Sequence, residues 1–313
     1  MLHRVPRLSV ITLTLMLALA LLPSAAKGAV TPVPVLTGPE DQWQAFADET
    51  WLAWTSNSVD HPNRWNALVR PVAGGTTRRV NAPGTMGFAG NFDPGTDHLI
   101  YEQETASDVG IFFYDVSTRR RWRVQDINFP KREWQPRVSH AFILFQRNHK
   151  LNGKWYTDVL LYVRATHHIR KLGTWPNAWV IRTGNVGERY ATFFVGTNKA
   201  YFPFLYDSLT KTRTRITSSQ PYAWAPVVDE TNGTVYFAAS GNACGANSNI
   251  WRLPIPLAGS PTKIVDLPTG VDIGWVMSLA PDQTSGLDLL FYRLVCSKRQ
   301  GDIYKATQVD QVP

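Results

Sequence analysis

The segment GFAGNFDPGTDHLIY, residues 87–101, contains the pattern on which the whole chain is built. It begins at an aromatic residue, Phe88, passes through the turn-forming residues Asp93-Pro94-Gly95, and ends in the apolar triplet Leu99–Tyr101. Two short β-type segments joined by a turn rich in Asp, Pro and Gly predict a β-hairpin. Because the same arrangement returns along the 313-residue chain, the segment represents one unit of a repeat.

An aromatic residue opens each unit, at intervals of 45, 46, 45, 45 and 51 residues. These aromatic residues are Trp43, Phe88, Trp134, Trp179, Trp224 and Trp275. The apolar triplets that follow them are Leu52–Trp54, Leu99–Tyr101, Ile143–Phe145, Thr192–Phe194, Val235–Phe237 and Leu289–Phe291. A third apolar segment and, in most units, an alternating polar segment come next, with almost no helical periodicity. The sequence therefore predicts six units of four strands each.

This pattern predicts an all-β fold, a six-bladed β-propeller with four antiparallel strands per blade, because the inner strands are apolar and the outer ones carry Arg and Lys. The last unit has no clear fourth strand after Tyr304, whereas Val33–Leu36 is a spare strand at the start. We expect this N-terminal strand to join the last blade and close the ring, since each blade buries its faces against its neighbours. A two-domain β-sandwich would not explain six aromatic residues at near-constant spacing.

Three units partly match the repeat of the TolB-like β-propeller family, in which an inner-strand aromatic residue precedes Ser-Pro-Asp-Gly and an apolar triplet ending in Phe. The matching segments are Phe92–Gly95, Pro226–Asp229 and Leu279–Asp282, whereas units one, three and four lack the Pro-Asp-Gly. The chain thus resembles a secreted member of this family over roughly residues 32–313. The resemblance implies the architecture but leaves the activity open, since such propellers serve as binding platforms, periplasmic partners and enzyme domains.

The first 26 residues have the pattern of a secretory signal peptide, with a short basic region, an uncharged apolar run and small residues before the cleavage site. The apolar run, Leu8–Leu22, is shorter than the roughly 20 residues that cross a bilayer, which disfavours a membrane anchor. Cleavage after Ala26 or Gly28 fits the pattern. We expect a single extracytoplasmic domain over residues 27–313, without a membrane span.

The formal net charge of +8 falls to +6 when Arg4 and Arg7 leave with the signal peptide. Basic runs such as Arg119–Arg123 are typical of a solvated strand, and an exported protein seldom meets nucleic acid, so nucleic-acid binding is not expected. A basic surface favours anionic partners outside the cytoplasm. We expect a monomer whose partner is a protein, a peptide or an anionic glycan.

The chain has two cysteines, Cys244 and Cys296, and each follows the second strand of its unit. Both therefore fall in loops on one side of two adjacent units. Because export leads to an oxidising compartment, we predict a disulfide between them. Two free thiols, or one reactive thiol, are the alternatives.

Polar residues follow the apolar triplets, in the loops that a propeller places on one side of the ring. The candidate ligand-binding residues among them are Asn57, His61, Glu102, Arg147, His149 and Arg293. Such a mixed set could hold a sugar, a peptide terminus or a carboxylate, although loops are polar in any protein. The aromatic residues that open the inner strands either stack sugars or, as we favour, pack between blades.

The sequence contains no Gly-x-Ser-x-Gly elbow, P-loop or dinucleotide-binding motif, and we expect neither a cofactor nor a metal. A metal site assembled from separate blades would leave no sequence motif. The function predicted is binding without catalysis. The alternative is a carbohydrate-active enzyme (a lyase or hydrolase) or a lactonase-like enzyme with its site at the propeller axis. In that alternative Glu102, Arg147, His149 and Arg293 supply acid, base and carboxylate binding, and two or three of them must meet at one point.

Overall fold

A computed structural model describes most of the chain. The described residues are 29–58, 61–128, 132–241, 248–281, 286–295, 300–307 and 309–311. Within them the chain is all-β, with 24 strands and one short 3-10 turn, Val309–Gln311. The predicted signal peptide, residues 1–26, and both cysteines, Cys244 and Cys296, lie outside the described residues. No helix in the described part is long and apolar enough to span a bilayer.

The strands form antiparallel sheets of four, each made of consecutive strands in the first half of the chain. The first sheet contains β2 (Gln42–Ala47), β3 (Trp51–Ser58), β4 (His61–Pro71) and β5 (Arg78–Arg79). The second contains β6 (Met86–Phe92), β7 (His98–Glu104), β8 (Val109–Asp115) and β9 (Arg121–Arg123). The third contains β10 (Arg132–Val138), β11 (Phe142–Leu151), β12 (Lys154–Val163) and β13 (His168–Pro176).

The second half of the chain continues this order. The next four strands are β14 (Val180–Val186), β15 (Tyr190–Gly196), β16 (Tyr201–Asp207) and β17 (Thr212–Arg215). They are followed by β18 (Tyr222–Asp229), β19 (Thr234–Ser240), β20 (Asn249–Pro254) and β21 (Thr262–Asp266). One parallel pair, Tyr201 with Tyr222, joins these two groups into one eight-stranded sheet. The last sheet contains β22 (Val271–Pro281), β23 (Leu287–Val295), β24 (Gln300–Ala306) and β1 (Val33–Leu36).

The N-terminal strand β1 completes the sheet formed by the last three strands. It pairs antiparallel with β24, where Val33 lies opposite Lys305 and Pro34 opposite Tyr304. Pro34 is tolerated there because β1 is an edge strand, which needs to donate hydrogen bonds on one side only. This is the pairing that the missing fourth strand of the last unit predicts, and it brings the first and last strands of the described residues into one sheet.

The first strands of successive sheets contact one another. Contacts join β2 with β6, β6 with β10, β10 with β14, β14 with β18, β18 with β22, and β22 with β2. Hydrogen bonds also connect these strands. Ser278 Oγ in β22 donates to the Ala45 carbonyl in β2 at 2.6 Å. Likewise Thr183 Oγ1 in β14 donates to the Gln135 carbonyl in β10 at 2.7 Å. Neighbouring sheets are thus joined along their inner strands.

Each first strand contains a register shift against its second strand. At three of these bulges a residue other than glycine adopts a left-handed backbone, namely Gln44 (φ 49°), Gln135 (φ 50°) and Ala225 (φ 49°). That conformation costs about 1 kcal/mol for a residue with a Cβ atom. Bulges redirect side chains, and Gln44 and Gln135 both line the cavity described below.

The hydrophobic core lies between neighbouring sheets. One cluster joins Ala53 and Val69 of the first sheet to Leu99 and Tyr101 of the second, and all four are fully buried. The predicted apolar triplets therefore lie at the centre of the sheets, as their alternation with polar outer segments indicates. Two cavities lie near opposite ends of the inner strands, and polar residues of these strands contribute to the walls of both.

Candidate functional site

A cavity of about 290 Å³ lies where the first strands of four successive sheets begin, and we call it the aromatic cavity. Its lining residues are Trp43, Gln44, Phe88, Glu102, Trp134, Gln135, Gln146, Asn148, Thr157, Asn177, Trp179, Ile181 and Arg182. The volume is close to the lower limit of about 300 Å³ for small-molecule sites. Aromatic rings and side-chain amides dominate its wall.

Four of the six repeat aromatics line this cavity, namely Trp43, Phe88, Trp134 and Trp179. The ring of Trp43 also packs edge-on against Phe88, with centroids 6.3 Å apart. Trp224, in contrast, is buried, and its indole N–H donates to the Ile273 carbonyl at 3.0 Å. Four of the repeat aromatics thus line a cavity, whereas Trp224 packs in the hydrophobic core.

Glu102 places a buried carboxyl group in the cavity wall. Only 2% of the residue is exposed, and Oε2 accepts a hydrogen bond from the backbone N–H of Gln135 at 2.9 Å. Burial raises the pKa of Glu102 to about 8, although that hydrogen bond and the charges of Arg182 and Arg137 act in the opposite direction. Near neutral pH the carboxyl group is therefore mainly protonated and can donate a hydrogen bond.

Arg182 brings a positive charge to the same cavity. Its guanidinium lies 4.7 Å from the ring centroid of Trp275, and Nη1 donates to the Ile181 carbonyl at 2.8 Å. The buried Nε atom has no hydrogen-bond partner among the described residues. Burial lowers the pKa of Arg182 to about 10, so the side chain stays charged at neutral pH. With Glu102 protonated, the cavity carries a net positive charge.

Side-chain amides supply most of the remaining polar surface. Gln146 Nε2 donates to Gln135 Oε1 at 2.9 Å, which links β11 to the bulge of β10. Thr157 Oγ1 lies 2.8 Å from Asn148 Oδ1 and 2.9 Å from Asn177 Oδ1. Each amide has both donors and acceptors, so the wall can bond to hydroxyl groups of either orientation.

Of the six residues predicted from the sequence as ligand-binding, Glu102 lines the aromatic cavity and the other five do not. Asn57 lies at the end of β3, where its Oδ1 accepts a hydrogen bond from the backbone N–H of Asp41 at 2.9 Å. His61 is exposed at the start of β4. Arg293, in β23, lies 4.7 Å from the ring centroid of Tyr304.

Arg147 and His149 lie on the opposite side of β11 from the cavity. Arg147 Nε donates to Glu133 Oε1 at 2.9 Å, and His149 Nδ1 lies 3.4 Å from Asp158 Oδ2. The reason is strand alternation, which turns neighbouring residues to opposite sides of the sheet. The four side chains of the enzyme hypothesis therefore do not meet at the cavity.

Sequence reasoning missed Gln146 and Asn148, which line the cavity from the same strand. It placed the residues after Phe145 in a loop, whereas β11 continues to Leu151 and pairs with β12 as far as Lys154. The dipeptide Asn152-Gly153 could have predicted the longer hairpin, since Asn-Gly favours a two-residue hairpin turn. Both residues have positive φ in the structure, 51° and 79°.

A second cavity, of about 690 Å³, lies near the opposite ends of the inner strands and has an acidic rim. Two of its acidic groups form hydrogen bonds within the chain. Asp93 binds the Arg164 guanidinium with both oxygens, at 2.7 and 2.9 Å. Asp48 Oδ1 accepts the backbone N–H groups of Thr50 and Trp51 at 2.7 and 2.6 Å. Within the described ranges, no group of three or more His, Cys, Asp or Glu is arranged to hold a metal ion.

Comparison with known proteins identifies the fold. The chain matches no family model and no curated protein sequence. Among solved structures it is similar to TolB from Acinetobacter baumannii, with a TM-score of 0.54 and 12% identity over 83% of this chain and 64% of that one. A protein assigned as a TolB from Agrobacterium tumefaciens gives a TM-score of 0.57 and 11% identity, over 87% and 92% of the two chains.

An oligogalacturonate lyase in complex with manganese is also similar, with a TM-score of 0.52 and 9% identity over 88% of this chain and 85% of the lyase. The chain spans less than two thirds of the length of the Acinetobacter protein. At identities this low the similarity shows the fold alone, which is a β-propeller of the kind found in TolB. Because these neighbours include an enzyme, the fold does not decide the function.

Proposed function

We propose that residues 27–313 form one six-bladed β-propeller, exported by the signal peptide and closed by β1 in the last blade. The contacts between successive first strands, including β22 with β2, support the ring. The pairing of β1 with β24 supports its closure. The monomeric state and the disulfide between Cys244 and Cys296 belong to the same proposal.

The proposed function is to bind a glycan in the aromatic cavity without transforming it. The observation that carries this proposal is the combination of four aromatic rings with side-chain amides in a cavity of about 290 Å³. Aromatic rings offer flat apolar surfaces on which the C–H groups of a sugar ring can pack. The amides and the protonated carboxyl of Glu102 provide donors and acceptors for its hydroxyl groups.

The charge of the cavity favours an acidic sugar. Arg182 keeps its charge at neutral pH, and its Nε atom has no partner among the described residues. Glu102 is mainly protonated under the same conditions and does not cancel that charge. A sugar carboxylate would both neutralise the guanidinium and accept its unused N–H, an interaction stronger than one between neutral groups.

Binding is better supported than catalysis, because most glycoside hydrolases use two carboxyl groups that flank the scissile bond. Among the described lining residues of the aromatic cavity, Glu102 is the one carboxylic acid. The raised pKa of Glu102 does favour one enzymatic alternative, a lyase in which the ionised carboxylate abstracts a proton. Such an activity would increase as the pH rises through about 8.

The test is a calorimetric titration of the exported protein with neutral and uronate oligosaccharides, with product release assayed in parallel at pH 6 to 9. We expect binding without product, and Trp134→Ala should weaken it at least about tenfold, because a stacked aromatic ring is removed. Trp122→Ala is the control, since Trp122 is exposed on β9, away from the cavity. Absence of saccharide binding would contradict the proposal, and release of an unsaturated product, which elimination forms and hydrolysis does not, would establish the lyase alternative.

A further inference from the structure

The hairpin of β11 and β12 extends beyond the corresponding hairpins of the neighbouring sheets. β11 continues six residues past Phe145, to Leu151, whereas β7 continues three residues past Tyr101, to Glu104. At about 3.3 Å per residue, the difference adds about 10 Å of hairpin. Its end, residues 150–155 with the sequence KLNGKW, is called the hairpin tip below.

The hairpin tip exposes two large apolar side chains, although such residues are normally buried. Leu151 is 56% exposed and Trp155 is 49% exposed. The four other residues of the tip are also exposed. Trp155 lies opposite Lys150, and Leu151 lies opposite Lys154 in the next pair, so strand alternation turns the two apolar side chains to opposite faces of the hairpin. Both can therefore enter an apolar phase when the tip inserts end-on.

The same tip is positively charged. Lys150 precedes Leu151 and Lys154 precedes Trp155, and neither lysine forms an ion pair within the part of the chain that the structure describes. Arg132, exposed on β10, lies opposite Asn148 at the base of the tip and adds a third cation. No Asp or Glu occurs between residues 148 and 157. Trp155 also contacts a cation directly, because Lys150 Nζ lies 5.2 Å from its ring centroid.

We propose that the hairpin tip docks this protein on an anionic lipid surface. Tryptophan is enriched at membrane interfaces, where its ring lies at the level of the headgroups. Lysines attract anionic headgroups while their alkyl stems cover apolar surface. An acidic polymer or nucleic acid would satisfy the lysines but would leave Leu151 in water. The tip therefore fits a lipid surface better than a soluble polyanion.

The location of the tip links this docking to the aromatic cavity. Asn148 and Thr157, which lie opposite each other at the base of the same hairpin tip, line that cavity. Lys150 and Trp155 are the next pair on the same side of the hairpin. Docking by the tip would hold the cavity near the lipid surface. The proposal itself does not depend on what the cavity binds.

Flotation with vesicles tests the docking. The exported protein, with its N-terminus checked by mass spectrometry, is mixed with vesicles of phosphatidylcholine alone or with an equal amount of phosphatidylglycerol. We expect flotation with the mixed vesicles only. Leu151→Ser should reduce the partition coefficient about tenfold, because a leucine side chain is lost from the apolar phase. Lys150→Gln with Lys154→Gln should reduce it about twenty-five-fold, since each lysine contributes about fivefold near an anionic surface.

Matched controls are available elsewhere on the surface. Leu209 is 71% exposed on the turn after β16, and Lys211 is exposed beside it, so Leu209→Ser and Lys211→Gln should leave flotation unchanged. All variants change exposed residues and should keep the unfolding midpoint of the wild type. Flotation that is lost on changing the lysines but unaffected by Leu151→Ser would indicate adsorption by charge alone and overturn the proposal. Equal flotation of all variants, or oligomers that dissociate on Leu151→Ser, would also overturn it.

Discussion

Glu102 Oε2 accepts a hydrogen bond from the backbone N–H of Gln135 at 2.9 Å, which joins the second sheet to the third at the wall of the aromatic cavity. Gln135 adopts a left-handed backbone, with φ of 50°. This conformation is part of the bulge of β10, and a straight strand would continue the regular pairing with β11 instead. The contact thus depends on an irregularity of one inner strand and a buried acid of the neighbouring sheet.

Replacement of Glu102 by Gln should change the pH dependence of stability. The pKa of Glu102 is about 8 in the folded state and near 4.5 when the chain is unfolded. Between these values the folded state binds the extra proton, so this group makes the free energy of unfolding fall as the pH rises. The slope is about 1.4 kcal/mol per pH unit at most. Urea titrations at pH 5, 6.5 and 8 should therefore show a smaller decline for Glu102→Gln.

Glu133→Gln is the matched comparison for that experiment. Glu133 is also buried, and burial raises its pKa to about 7, but its Oε1 accepts a hydrogen bond from Arg147 at 2.9 Å. Because the pKa of Glu133 is raised as well, Glu133→Gln should also reduce the decline of stability with pH, but over the narrower range from about pH 4.5 to 7. A pH profile of Glu102→Gln that coincides with the wild type would show that Glu102 titrates normally.

The repeat could be predicted from the sequence because aromatic positions and apolar triplets recur in it. The spare strand Val33–Leu36 was likewise predictable from the incomplete last unit, and it pairs with β24. The cavity wall was not predictable, because it depends on which side of each inner strand a residue occupies. A bulge shifts that alternation by one residue. No turn-forming residue in the sequence indicates the bulge at Gln135.

The packing of β1 against the last sheet gives a direct test of ring closure. Leu36 is 6% exposed and belongs to a core cluster with Trp54, Leu290 and Ile303. We expect Leu36→Ala to lower the free energy of unfolding by about 2 to 4 kcal/mol, the usual cost of such a truncation in a core. Val33→Ala, at a position that is 42% exposed, should change it by less than about 0.5 kcal/mol. Equal small effects in urea unfolding would contradict the docked N-terminal strand.

Gly184 tests how closely the inner strands approach each other. A Cβ atom at this position would lie 2.0 Å from the Pro226 carbonyl oxygen of β18 and 2.3 Å from Thr192 Oγ1. Because one of these neighbours is backbone, relief requires the strands to separate. Gly184→Ala should therefore cost about 3 kcal/mol or prevent folding. At Gly241 the nearest atom, Oε1 of Gln220, would lie 3.5 Å away, so Gly241→Ala should be tolerated. The thermal midpoints of both variants provide the measurement.

Export and the predicted disulfide can be checked on the same sample. We expect the N-terminus of the exported protein at residue 27 or 29, and no reaction of Cys244 or Cys296 with an alkylating reagent until a reductant is added. Intact-mass measurement with and without reductant distinguishes the three outcomes left open by the sequence. Two modified thiols before reduction would contradict the disulfide, and one would indicate a single reactive thiol.

Arg182 should decide whether the cavity distinguishes acidic from neutral saccharides. If its guanidinium binds a carboxylate, Arg182→Gln should weaken uronate binding at least about tenfold, because one hydrogen bond to a charged group is lost. The affinity for neutral sugars should change by less than about twofold. Arg215→Gln is the control, because Arg215 also stacks on an aromatic ring, 4.2 Å from the centroid of Phe202, but lies on the outer strand β17. Equal losses for both sugar classes would mean that Arg182 acts by packing on Trp275, and acidic sugars would then not be the preferred ligand.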